Sequence, residues 1–329
     1  MMSVRLRRRV VTSAAALAML AVVPLSAHAQ DKSLLRLTLI EATPAFHSLP
    51  VFALKQNAKD YNLEVENLQI QGGGEAGVIF AGGQADIMMS GFDKPVEFMA
   101  KGIVDVRVFG AILKSINWSL VVPLKSPIHT IADLKGRTVG ISGPGASSDM
   151  LMRWALRKAS LDPDKDVTLV ALGGVPSLYS GIENGKVEAG VLVRPYLSKA
   201  VDSGGFARVV GDWEALPYPN LVSIARAKDM KEHPETFQRF QSALRDILAR
   251  FQKDRAFALK MAKLAYPNDS DESLSKQLDF AEKVYWNPMN ADMSRELYDR
   301  AADMLETAGV VAKDKMPSYE QLVVTLPQG

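Results

Sequence analysis

The feature that most constrains the fold is a set of turn residues that recurs at a nearly constant offset. Pro44 and Pro144 lie 100 positions apart, Gly73 and Gly174 101, and Gly83 and Gly185 102; Lys94-Pro95 is echoed by Arg194-Pro195. The apolar runs between them fall in the same order twice. Residues 35–40, 65–70 and 85–89 read as strands, with a helix over 48–59, a turn at 72–74 and a short helix after it. Strands over 138–142, 167–172 and 188–193 repeat the series, with a helix over 147–159. Further strands are read at 104–112 and 120–123, and again at 209–210 and 221–225. Loop glycines are common, so one match means little. The steady offset is what argues for two similar lobes. Strands alternating with helices predict mainly parallel sheets with helices on both faces.

The last third departs from this pattern. Residues 233–257 place Phe237, Phe240, Leu244, Ile247, Leu248 and Phe251 on one side of a single expected helix. Leu274, Leu278 and Val284 mark a second helix. Met293, Leu297, Met304 and Leu305 mark a third, ended by Gly309. Such stripes are core faces, expected to pack back onto the first lobe.

Residues 1–29 read as a cleaved signal peptide: four arginines at 5–9, a short apolar core, and Ala27-His28-Ala29 before Gln30. Cleavage is expected after Ala29, by Sec or twin-arginine export. Of 39 basic residues, 35 remain without those four arginines, against 37 acidic ones. Nothing suggests a nucleic-acid partner. The absence of cysteine excludes disulfides and thiolate chemistry. His47, His129 and His233 are far apart, with no ligand-like spacing, so no metal is expected. No G-x-S-x-G, H-E-x-x-H or P-loop is present.

In open α/β sheets, ligands bind outside the carboxyl ends of the strands. Two facing lobes would put 41–47, 71–75 and 90–94 across a cleft from 142–149, 173–177 and 194–196. Segments 115–119 and 215–220 would join the lobes. Candidate contacts from the first lobe are Thr43, Phe46, His47, Gly74, Ser90 and Gly91, with Asn117 and Trp118 on a joining segment. From the second lobe they are Gly145, Ser147, Ser148, Gly174 and Arg194. A glycine-rich turn running into a helix presents backbone N–H groups to an anion. Ser147 either adds a donor there or caps the helix, and Asp149 competes for the same positive potential. Arg194 could hold a carboxylate or sulfonate in bidentate fashion, or form a surface or interlobe salt bridge. Lys94 is expected to face solvent. Phe46, Phe92, Trp118 and Tyr196 are wall or core. Glu41, Glu75, Asp93 and Asp149 are expected to be solvated loop acids.

The run I-A-D-L-K-G-R-T-V-G-I-S-G-P-G at 131–145 resembles a signature of periplasmic solute-binding proteins. G-G-Q-A-D-I at 82–87 and N-G-K-V-E-A-G-V at 184–191 fit the same pattern. The resemblance covers about 35–255. Within that class it points to the sulfonate-, taurine- and nitrate-binding proteins and their thiamine-pyrimidine-synthase-like relatives. It implies an α/β, two-lobed type II periplasmic-binding fold with two crossovers. Lobe one would hold 30–118 and 219–329, and lobe two 119–218. It implies the periplasmic binding component of an ABC-type importer, which captures a small anionic, sulfonate-like solute by hinge closure. A membrane permease and an ATPase would be its partners. The chain is expected to be a monomer without a cofactor. A pyrimidine or aromatic solute is the alternative, and presentation to a sensor stays open. The synthases use a cysteine-rich motif and a metal; a chain without cysteine departs from them and reads as a non-enzyme.

Overall fold

A computed structural model describes residues 33–39, 46–69, 73–202, 204–287 and 290–327, all within one compact unit. The expected signal peptide lies outside these residues. The first series runs β1 (Ser33–Leu39), α1 (Leu49–Gln56), β2 (Leu63–Gln69), α2 (Gly73–Ala81), β3 (Ile87–Ser90), α3 (Asp93–Ala100) and β4 (Val106–Ser115). The second runs β5 (Ser119–Pro123), β6 (Thr138–Ile141), α4 (Ser147–Lys158), β7 (Thr168–Ala171), α5 (Val175–Glu183), β8 (Ala189–Leu192), α6 (Tyr196–Val201) and β9 (Ala207–Asp212). The chain returns through β10 (Pro217–Arg226) to α7 (Ala227–Glu232), α8 (Pro234–Lys253) and α9 (Arg255–Ala265). It ends with α10 (Asp271–Phe280), α11 (Arg295–Ala308) and α12 (Tyr319–Leu322).

Two five-stranded sheets result, ordered β2-β1-β3-β10-β4 and β7-β6-β8-β5-β9. In each, the first three strands are parallel, and the fourth is antiparallel to both neighbours. The antiparallel strands are β10, which follows the second series, and β5, which opens it. The chain therefore passes between the sheets twice, over 116–118 and 213–216.

Local sequence explains the elements. Strand β4 is buried almost throughout, as a strand covered on both faces must be. Edge strand β7 exposes Thr168 and Ala171. In α8 the buried residues Phe237, Phe240, Leu244, Ile247, Leu248 and Phe251 form the expected stripe. The single helix expected over 233–257 is two helices. Asp254 leaves helical geometry, and its carboxylate accepts the Phe257 amide to start α9. Gly309 closes α11 with φ 73°, a left-handed turn that glycine adopts freely. Gly190 is required for packing: a Cβ there would stand 2.7 Å from Ile182 Cδ1, pushing α5 off sheet two.

Sheet one has a core on each face. Helices α1, α8, α9 and α10 bury Leu49, Phe240, Phe251 and Trp286 on one side. On the other, α2, α3 and α11 are joined by Met150 and Leu151 of α4, which belongs to the second series. Sheet two has two smaller cores, around Met152 and Leu156 of α4 and around Leu178 and Ile182 of α5. Trp118, on the first crossover, touches three of these four cores. Among the described residues, no helix is long and apolar enough to cross a membrane.

Candidate functional site

Only Gly91 and Phe92 separate the end of β3 from the start of α3. A Cβ at Gly91 would lie 2.3 Å from Asp93 Oδ1 and 2.4 Å from Ser147 Oγ. Glycine leaves room for the hydrogen bond that Ser147 Oγ donates to Asp93 Oδ1, at 2.9 Å. That bond joins the first turn of α3, on sheet one, to the first turn of α4, on sheet two. Asp93 is 2% exposed. Burial lifts its carboxyl above the usual range, and Lys94 and the Ser147 hydroxyl offset only part of the rise.

Three expectations fail here for the same reason, that the two helix ends enclose one another. Lys94 does not face solvent: it is buried, with Nζ 2.8 Å from Glu97 Oε2 and 4.0 Å from Asp93 Oδ2. A Cβ at Gly145 would lie 3.7 Å from that Nζ. Asp93 and Asp149 are buried rather than solvated. Asp149 Oδ2 accepts the Gly145 amide at 2.8 Å and its Oδ1 accepts Arg153 Nε at 2.9 Å, so the chain's own carboxylate takes an amide of the glycine-rich turn. Ser147 does not cap α4, because the cap position is Ala146. Ser148 is fully buried, and its Oγ accepts the Ser142 amide at 3.0 Å.

A second group surrounds the crossovers. Asn117 Nδ2 lies 2.8 Å from His47 Nδ1, and Asn117 Oδ1 accepts Asn220 Nδ2 at 2.6 Å. Trp286 Nε1 donates to the His47 carbonyl at 3.1 Å. The turn before α1, the first crossover and the start of β10 are thereby held together.

Arg194 forms the third group. Its Nε and Nη2 reach Glu214 at 3.0–3.3 Å, Nη1 donates to Ser198 Oγ at 2.8 Å, and the guanidinium lies 4.4 Å from the Phe280 ring centre. Glu214, buried on the second crossover, also accepts the Tyr285 hydroxyl at 2.7 Å. Burial, then the Glu214 carboxylate, push the Tyr285 phenol well above its ordinary value. Arg194 therefore forms a salt bridge with a carboxylate of its own half of the chain, residues 119–218.

Thr43 lies outside the described residues. Gly74 sits in the first turn of α2 rather than in a turn before it, and Gly174 is the cap residue of α5. Phe46 and Phe92 are core. Phe46 stacks on Tyr266 at 4.9 Å, and fully buried Phe92 meets the edge of Tyr298 at 5.7 Å. Ser90 is fully buried and donates to the Gly91 carbonyl at 3.1 Å. Trp118 remains half-buried, and Tyr196 packs on Tyr179. The fold brings together Gly91, Gly145 and Ser147, and separately His47 and Asn117. Sequence reasoning missed Glu214 and Tyr285, which sit in segments without a motif, and it named the joining segment 215–220 without singling out Asn220. It undervalued Asp93, whose place just after a strand end was the available signal. Among the described residues, no cluster of three or more acids or histidines could hold a metal.

Residues 59–253, more than half of the chain, match the family described as NMT1/THI5 like. An Escherichia coli (strain K12) protein named for binding aliphatic sulfonates is 28% identical over 199 residues. That match spans 59% of this chain and 59% of that protein's own length. YtlA of Bacillus subtilis (strain 168), named as a binding protein, is 22% identical over 225 residues, 67% of each chain. The alkanesulfonate-binding protein SsuA from Xanthomonas axonopodis pv. citri, bound to MOPS, superposes with TM-score 0.71 at 18% identity, covering 89% of this chain and 98% of that one. The nitrate-binding protein NrtA from Synechocystis PCC 6803 gives 0.68 at 12%, over 89% and 86%. At these identities the likeness establishes the fold, which is that of periplasmic binding proteins. The family match takes in both crossovers and every element of the two facing helix ends, and the chain belongs to the NMT1/THI5 like family.

Proposed function

We propose that this chain is the solute-binding component of an ABC-type importer, exported to the periplasm, which holds a small organic solute between its two sheets and passes it to a permease driven by an ATPase. The observation that carries this reading is the Ser147–Asp93 bond, which closes the strand-end loops of one sheet onto those of the other. The division into lobes at residues 118–119 and 218–219, and the candidate contacts of the strand-end loops, belong to the same proposal. The relatives' names support a sulfonate-like anion. The Arg194–Glu214 pair supports the other expectation, a pyrimidine or aromatic solute, because an anion must compete with Glu214 for that guanidinium.

A thermal-shift screen of the chain from Gln30 against sulfonates, carboxylates, nitrate, pyrimidines and aromatic acids tests binding, since a bound solute raises Tm by mass action. Solution scattering tests closure: the radius of gyration should fall at saturating solute. A chain that no periplasmic extract stabilises, and that carries no co-purified solute, would not be a binding component.

A further inference from the structure

Three buried polar side chains, His47, Asn117 and Asn220, meet where the crossovers pass the turn before α1. Buried away from bulk water, each must find its partners among the others and their neighbours. A carboxamide donates only from its nitrogen and accepts only at its oxygen, so fixing one end fixes the other. Asn220 Nδ2 donates to Asn117 Oδ1 at 2.6 Å. Turning the Asn117 amide over would set one NH2 group against another at that distance. Asn117 therefore presents Nδ2 to His47 Nδ1, 2.8 Å away. A ring nitrogen that faces a donor must accept, so the neutral imidazole carries its proton on Nε2.

The ring is held where this relay reaches it. Trp286 Nε1 donates to the His47 backbone carbonyl at 3.1 Å, and the Tyr285 ring stands edge-on to the imidazole, with centres 6.4 Å apart and planes at 87°. The three members come from separate passages of the chain: the turn before α1, the first crossover and β10 just beyond the second.

We infer that Asn117 and Asn220 are positioning residues that fix His47 as an Nε2–H donor. The relay runs one way, from Asn220 to Asn117 to His47, and Asn220 sets its direction through Asn117. Its use rests on the binding reading above: there His47 is a candidate contact, and a solute meets its ring with an acceptor atom.

Nitrogen-15 spectra of the imidazoles test this, taken on the chain recovered from periplasm at about pH 8.5, above the ordinary titration range of histidine. The His47 signals are those lost in His47→Gln, and the His129 and His233 signals report whether each variant is folded. In the wild type Nδ1 should resonate as an unprotonated ring nitrogen and Nε2 as a protonated one. Asn220→Asp puts an acceptor at the head of the relay, so the Asn117 amide should turn over and His47 should switch to the Nδ1–H form. Asn220→Ala releases the amide and should give a mixture of both forms. A protonated Nδ1 in the wild type overturns the inference. So does an unchanged His47 in folded Asn220→Asp, or in folded Asn220→Ala where the acidic variant does not fold, because a purely structural Asn220 would not set the tautomer. Either result leaves the importer reading standing. The expected tautomers in a chain that no solute stabilises would sink the importer reading and leave the relay intact.

Discussion

The two halves share a strand order and differ in what covers it. Sheet one lies between two cores closed by the C-terminal helices, and its outer strand β4 is buried nearly throughout. Sheet two has smaller cores of Val, Leu and Ile, and its matching strand β9 is largely half-buried or exposed. The same contrast marks Lys94 and Arg194, which hold matching places a hundred residues apart. Lys94 finds its partner one helical turn away, at Glu97. Arg194 reaches to Glu214 on a crossover and to Phe280 at the end of α10. The repeat thus sets topology and loop positions. The added helices make one half a platform and reach across to hold the other.

The strongest way to break this comparison is to weaken one cover at a time. Phe240→Ala, in the larger core, should cost about 3–5 kcal/mol, and Leu178→Ala, in a small core of sheet two, about 2–3 kcal/mol. Because α4 lends Met150 and Leu151 to a core of sheet one, both losses should move a single urea transition. Two transitions, with Leu178→Ala shifting only one, would show that the halves unfold separately and that α4 does not couple them.

Much of this architecture was legible in the sequence. The constant offset of the turn residues gave two equivalent strand series, since turns and apolar runs are local signals. The stripe of α8 announced its buried face in the same way. The α8–α9 break was not legible, because Asp254 acts through a cap that interrupts a continuous apolar pattern. The site was read less well. Strand-end loops could be located, but sequence spacing does not reveal that Asp93 and Ser147, 54 residues apart, touch. Nor does it reveal that Glu214 neutralises Arg194, or that Phe46 turns into a core. Those outcomes depend on which helix ends meet across the gap.

A buried cation sharpens the contrast between the outer strands. Lys114, near the end of β4, is 8% exposed and donates to the Asn290 backbone carbonyl at 2.7 Å and to its side chain. Burial outweighs the pull of Asp292 and lowers its pKa from 10.5 to about 8. The unfolded chain therefore binds more protons between pH 8 and 10.5, and stability from this group rises with pH across that window. The rise should be roughly 3 kcal/mol at most. Lys114→Met should lack it, so wild type minus variant, measured in urea at pH 7.5 and 10, should increase with pH. A constant difference would mean that the ammonium is solvated and that β4 is less enclosed than its burial implies.

The smallest expected effect lies at the contact between the halves. Ser147→Ala removes one neutral donor from Asp93, worth about 1 kcal/mol. Its pH dependence distinguishes a hydrogen bond from simple packing. Burial raises the Asp93 pKa above 3.8, so the cost of burying its charge is absent below pH 3.8 and grows as pH rises through the native value. The Ser147 hydroxyl relieves part of that cost, because it donates to the charged carboxylate. The variant should therefore match the wild type most closely near pH 3.8 and fall furthest behind at neutral pH. In an Asp93→Asn background the pH dependence of the Ser147→Ala loss should vanish. A loss of equal size at every pH would leave Ser147 as a packing residue, and the link between the two helix ends would then rest on shape alone.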